Sequence, residues 1–337
     1  MKTAYVVGLI AGLAIPAARA WDYEGHRLVN QLALASLPTN FPGFVREPQN
    51  AERVAYLAGE PDRWRNQRAE LSLRQYQEPD HYIDLEQLTK YGLKPEALPI
   101  FRYDFVGELA VIRKTHPEKF SAEEGGADEA HTRALVGLLP WAIVENYGKL
   151  KSAISCLKAF QEEGGTADEL ANAQGNALYI MGVMGHYVGD ASQPLHTTIH
   201  HHGWKGENPN NYSTRSQIHS QVDSYFAHSV EKTFKELQEK SRPARLVRIG
   251  DRPARPEEMF QAVMNFIIEQ QKFVDPLYKL DKEGKLFDEG NAGAEGRAFL
   301  EAQLLKSGQL LGDIWYSAWE QAPSDTYLKA QLAKRKH

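Results

Sequence analysis

This 337-residue chain predicts a mostly α-helical protein built as one domain. Three observations carry the expectation. Apolar residues recur at three- and four-residue intervals along most of the length. No region is rich in the alternating, β-branched runs that build a sheet. No linker rich in Gly, Ser or Pro, no repeat and no low-complexity tract divides the chain.

The first 20 residues stand apart from that fold. Lys2 gives a positive start, Tyr5 to Pro16 is apolar and small, and Ala18-Arg19-Ala20 is an A-x-A cleavage signal. Residues 1–20 read as a signal peptide, too short for a comfortable membrane span. The mature protein is then expected to begin at Trp21, secreted or periplasmic, with no stable membrane anchor. Cleavage frees the Trp21 α-amino group, whose ordinary pKa is about 8. That amine and the adjacent carbonyl oxygen can chelate a metal. His26 opens an amphipathic run through Leu28, Leu32 and Leu34 and on its own reads equally as a solvated residue at a helix start.

Residues 21–320 form the expected domain, with 321–337 as a C-terminal tail whose Lys334-Arg335-Lys336 end is solvated. A formal net charge of −5 argues against a broad nucleic-acid surface while leaving room for a local cationic site. Cys156 is the only cysteine, so no internal disulfide forms, and stability must come from the core and from any bound metal.

Asp62 and Arg65 are three apart and share a face on a helix. They read either as a surface ion pair or as a metal ligand beside a phosphate clamp, since Arg offers a planar fork of donors. Pro79-Asp80-His81-Tyr82-Ile83-Asp84 reads as an irregular stretch. Residues 93–165 look helical. Phe105, Leu109 and Ile112 form one stripe; Leu135, Leu139, Ile143, Tyr147, Leu150, Ile154 and Leu157 form a second that Pro140 should kink or interrupt. His116 and His131 stand among charged residues and receive no role. A helix resumes near Ala167 and carries Leu178, Met181, His186 and Asp190.

The stretch from His186 to Asp223 holds the densest chemistry. His186/Asp190 and His219/Asp223 have i,i+4 spacing, which on a helix stacks imidazole and carboxylate on one face. Zinc takes His nitrogen and carboxylate oxygen. His196 follows Pro194, where the first helix should end. Five such donors exceed the four that close one structural zinc site, so more than one metal is expected. His200-His201-His202 reads as an exposed loop near the site, or as an extra metal position. Asn211-Tyr212-Ser213 is a glycosylation sequon that matters only in a eukaryotic secretory host. Tyr225 to Leu237 continues as helix, Ser241 to Pro256 is an Arg- and Pro-rich loop, Met259 to Leu280 is helical, and Leu300 to Ala318 lies on a long final helix.

With these residues in order, the chain resembles the trinuclear-zinc nucleases of the S-one/P-one type, related to bacterial zinc-dependent phospholipase C. The carrying segments are Trp21-x4-His26, Asp62-x2-Arg65, His81-Tyr82-Ile83-Asp84, His186 through His196, and His219 through Asp223. The resemblance implies a multi-helix phospholipase C/nuclease-like fold with three Zn2+ ions in a cleft. Asp62, His81, His186 and Asp190 would hold one. The Trp21 amine and carbonyl, His26 and a bridging Asp190 would hold the second, and His196, His219 and Asp223 the third. Arg65 matches a phosphate-contacting arginine and, with Asp62, belongs to the expected catalytic set. Tyr82 matches an aromatic that stacks on a base and Asp84 an acid that hydrogen-bonds the base edge.

The implied activity is endonucleolytic cleavage of single-stranded DNA or RNA to 5′-nucleotides, with 3′-nucleotidase activity. The implied route is in-line attack of a hydroxide lying between zinc ions, in a monomer. The alternative within the resemblance is a phospholipase C acting on lipid head groups. A third reading is a zinc-stabilised binding module without catalysis. The chain departs from the family at Asp22, where Gly is frequent, at Asp80, where Trp is frequent, in lacking the disulfides of the fungal and plant members, and in a long helical insertion over about 91–139.

Overall fold

The computed structural model describes residues 21–120, 129–132, 135–287 and 293–336. The predicted signal peptide therefore lies outside the described residues. So do Gly125 and Gly126, a pair that marks a loop in the sequence.

The described chain is mostly helix, with one two-stranded ribbon. Asp22 accepts from the Gly25 N–H and starts α1 (Tyr23–Ser36) as an N-cap. Helix α1 buries Leu28, Val29, Leu32 and Ala33. Three short helices follow: α2 (Pro48–Leu57), α3 (Glu60–Arg65) and α4 (Leu71–Gln77). Pro48 and Pro61 sit in first turns, where a missing N–H costs nothing. A 3₁₀ turn over Glu78–His81 leads into extended Tyr82 and then α5 (Leu85–Tyr91).

The predicted insertion follows α5 and holds a 3₁₀ turn over Pro95–Ala97 and α6 (Arg102–Thr115), on which Phe105 and Leu109 are buried. Phe105 stacks on Trp141 at 4.4 Å, so α6 is fastened to the body of the protein. The long α7 (Leu139–Glu163) begins at Leu139, not at Leu135. Pro140 therefore falls in the first turn and starts the helix instead of kinking it. A Gly164-Gly165 turn and the Thr166/Glu169 capping box launch α8 (Ala167–Ser192), which packs along α7.

Beyond the site come α9 (Ile218–Asp223) and α10 (Val230–Gln238), separated by a turn that contains Tyr225. The Arg-rich loop carries β1 (Arg248–Ile249) paired antiparallel with β2 (Arg252–Pro253). The expected single helix over Met259–Leu280 is two, α11 (Met259–Gln271) and α12 (Val274–Lys282). Pro276 explains the break: it lacks an N–H and its ring would clash with the Lys272 carbonyl. Helix α13 (Ala294–Gln321) packs against α1, α7 and α8. Within the predicted tail, α14 (Thr326–Ala333) docks on α7 through Lys329 to Glu162 at 2.7 Å and Asp325 N–H to the Ser155 carbonyl. One continuous apolar cluster runs from Trp21 to Ala322.

Candidate metal centre

The site forms where the C-terminal turns of α8 meet α1, α3, α9 and the segment after α4. His186 and Asp190 lie one turn apart on α8, with His186 Nε2 3.4 Å from Asp190 Oδ2. Helix α8 stops at Ser192 before Pro194, and a 3₁₀ turn over Pro194–His196 brings His196 back to the same place. Helix α9 contributes the second pair, His219 Nε2 lying 3.5 Å from Asp223 Oδ2. Both i,i+4 pairs therefore stand as their spacing requires.

Three buried groups result: His26, Asp62 and His186; His81, His186 and Asp190; His196, His219 and Asp223. Asp190 belongs to the second group and reaches a residue of the first. Its Oδ2 is 3.0 Å from His81 Nδ1, and its Oδ1 is 3.4 Å from His26 Nε2. That is where a bridging carboxylate would stand, and His186 is the residue common to both groups. Trp21 is fully buried, and the Asp22 N–H donates to the Asp223 carbonyl at 3.0 Å. The residue expected to begin the mature chain thus lies beside the third group.

The donor set suits metal ions. His186 donates through Nδ1 to the Ala58 carbonyl at 2.7 Å, and His196 through Nδ1 to the His81 carbonyl at 2.5 Å. Each bond fixes the tautomer and leaves Nε2 with a bare lone pair, the usual outer support of a ligating imidazole. Those two Nε2 atoms face His81 Nδ1 and His219 Nε2, each at 2.9 Å. Two nitrogens on one tetrahedral zinc stand roughly 3.3 Å apart, so the observed spacing needs only a small opening. Asp190 Oδ1, Asp223 Oδ2, both nitrogens of His26 and Nδ1 of His219 are buried without a hydrogen-bond partner. Orphaned buried polar atoms of this kind call for a ligand or ion.

Electrostatics agree. Burial holds His186 down at about 4 and His196 at about 3, and pushes His26, His81 and His219 well below the ordinary imidazole value. All five stay neutral and keep their lone pairs. Burial pushes the Asp190 and Asp223 carboxyls upward, so the ionised forms need cations close by.

Arg65 lies at the cluster, its Nε 2.7 Å from Asp62 Oδ1 and its side chain 13 % exposed. After burial, its charge is among the causes that depress His81. Tyr82 is half-buried, consistent with a ring at a rim. Asp84 is buried, unlike a freely accessible base-edge acceptor, and its Oδ1 has no hydrogen-bond partner. Burial, then Glu86, pushes its carboxyl up to about 7 against the pull of Lys205.

Several supporting residues carry no strong sequence signal. Gln193 donates to Asp223 Oδ1 at 3.0 Å while its own Oε1 accepts from the Leu195 N–H, so it orients a carboxylate of the third group. It stands inside the His186–His196 segment and was legible there as a polar residue before Pro. Arg102, on the insertion, grips Asp80 at 2.6 Å and Glu145 at 2.8 Å. The end of the insertion is stitched to the His81 segment as well. Leu138 and Leu139 donate to the Pro79 and Tyr82 carbonyls, and Asp84 donates to Val136. Gly137, with φ +90°, passes so close that a Cβ there would sit 2.0 Å from the Tyr82 carbonyl oxygen. The insertion thus braces the arm that carries His81. Comparison of the chain with models of known protein families and with curated proteins finds no match.

Proposed function

We propose that this protein is an exported zinc-dependent phosphodiesterase of the phospholipase C/nuclease-like fold, cleaving single-stranded nucleic acid. The observation that carries the reading is the convergence of three buried His/Asp groups on one place with Arg65 at their edge. Asp62, His81, His186, Asp190 and His26, with the Trp21 amine after signal cleavage, would hold two zinc ions. His196, His219 and Asp223 would hold the third. Zinc, when bound, supplies Lewis acidity toward phosphoryl oxygens and acidifies water near neutral pH.

The protein's own groups do the rest. The carbonyls of Ala58 and His81 hold two imidazoles in the tautomer that presents Nε2. Gln193 holds Asp223. Arg65, steadied by Asp62, presents a cationic fork to the charge that grows on phosphate oxygens as the ester bond breaks. Tyr82 offers a ring for a base, worth about 1–3 kcal/mol where stacking occurs. No Ser or Cys nucleophile is required.

A second reading, hydrolysis of phospholipid head groups, is favoured by the insertion, where Phe101 is 64 % and Tyr103 86 % exposed. Apolar and aromatic side chains held out in this way suit a lipid surface. The deciding experiment gives zinc-loaded mature protein single-stranded RNA and phosphatidylcholine vesicles in parallel. RNA cleavage that disappears on chelation and returns with zinc supports the nuclease. Cleavage of lipid alone would transfer the reading to phospholipase C, and no cleavage of either would leave a metal-stabilised binding module. Tyr82→Ala should weaken RNA turnover and spare lipid turnover.

A further inference from the structure

The three consecutive histidines after the site are not equivalent. The 3₁₀ turn over Ile199–His202 sits directly beyond His196. The ring of His200 stacks on Trp204 at 3.9 Å, and its Nδ1 accepts the Lys205 N–H at 3.0 Å. Neutral His200 therefore carries its proton on Nε2 and has no lone pair left to offer. His201 is set the other way. Its Nδ1 donates to the Thr198 carbonyl at 3.1 Å, so its Nε2 is bare. The same outer bond presents Nε2 at His186 and His196, whose donors belong to the buried groups. The rings of His201 and His202 lie 4.6 Å apart, 6.4 and 5.5 Å from the ring of His219. His201 is half-buried and His202 exposed, so water can reach the pair and complete a coordination shell.

We propose that His201 and His202 form a further divalent-ion position, open to solvent, on the outer side of the His196–His219–Asp223 group. Two neutral imidazoles without a carboxylate select imidazole-preferring ions such as zinc over magnesium or calcium. Lys205 stands nearby and opposes a cation, and only two protein ligands are supplied. This position therefore fills after the buried groups, at higher free zinc. Its ligands and its location are independent of the inner sites; only its place in the order of filling rests on the proposed zinc occupancy of the buried groups.

The test is zinc binding to the full mature chain, stripped by chelator and titrated by equilibrium dialysis with elemental analysis. The native protein should show a weaker class of zinc after the tight class is full. His201→Ala, His202→Ala and the double variant should each lose the weak class and keep the tight one, while His200→Ala keeps both. A native protein without a weak class, or a double variant that retains it, would overturn the proposal. Carbethoxylation of the unmodified protein gives a check that needs no variant. Zinc at the concentration that fills the weak class should protect His201 and His202 from diethylpyrocarbonate, read by peptide mass; equal labelling with and without that zinc counts against the site. Loss of the tight class in the native protein would instead remove the phosphodiesterase reading and leave this position standing.

Discussion

Removing Arg102 should weaken the site from outside it. The Arg102 side chain is 10 % exposed and its guanidinium reaches the carboxylate of Asp80, whose side chain is 4 % exposed, at 2.6 and 3.4 Å. It also reaches Glu145, 39 % exposed, at 2.8 Å through two nitrogens. The Glu145 contact is partly solvated and is worth at most about 1 kcal/mol. The Asp80 contact is different, because Arg102→Met leaves a buried carboxylate without a partner. Breaking one side of a buried pair costs about 3–5 kcal/mol, a large part of the 5–15 kcal/mol that typically holds a domain together. Asp80 directly precedes His81, so movement of the orphaned carboxylate toward water displaces a member of the His81–His186–Asp190 group.

The experiment is urea unfolding of the zinc-loaded protein, with zinc counted by elemental analysis. Arg102→Met should lower stability by about 3–5 kcal/mol and reduce zinc at the His81 group while the His196 group keeps its ion. Asp80→Asn placed on top should recover most of the loss, since the orphaned charge is then gone. A single variant that loses less than about 1 kcal/mol with full zinc would refute the reasoning, as would a double variant no better than the single.

Gly189→Ala would place a Cβ 2.6 Å from His26 Nδ1; overpacking of about 1–3 kcal/mol should outweigh the helix-propensity gain of roughly 1 kcal/mol, and zinc at the His26 group should fall. Gly175→Ala, on the same helix with open space around it, should instead raise the melting temperature and leave zinc content unchanged. The Asp84 carboxyl lies at about 7 in the fold against an ordinary 3.8, so the fold favours its protonated form. That stability is complete below the unfolded value and disappears as pH rises toward 7, up to about 4 kcal/mol at 1.36 kcal/mol per pH unit. Asp84→Asn should therefore gain on the native protein as pH climbs from 4 to 7 in urea unfolding, and parallel curves would count against it. Stripping zinc should lower the melting temperature by on the order of 10 °C for each ion present at a thousandfold excess over its dissociation constant, measured by calorimetry with and without chelator.

The amino-acid sequence by itself determined the local parts of this protein. The two His/Asp pairs and the stop before Pro194 depend on neighbours within a turn or two, and such contacts follow from helical spacing alone; the first helix read from His26 instead starts at Tyr23 behind the Asp22 cap. The mostly helical class was legible for the same reason. Helix boundaries were less so: Pro140 and Pro276 act through where the helix begins, and a stripe of apolar residues does not mark that point. Only the tertiary structure decided which pairs meet. His26 and Asp62 join His186 across well over a hundred residues, the Ala58 carbonyl sets an imidazole's tautomer without any side chain to announce it, and Arg102 reaches back to Asp80 from the insertion. It also separated three adjacent histidines by tautomer. Each of these rests on contacts between segments distant in the chain, whose geometry is fixed by packing of the whole core and not by any local pattern.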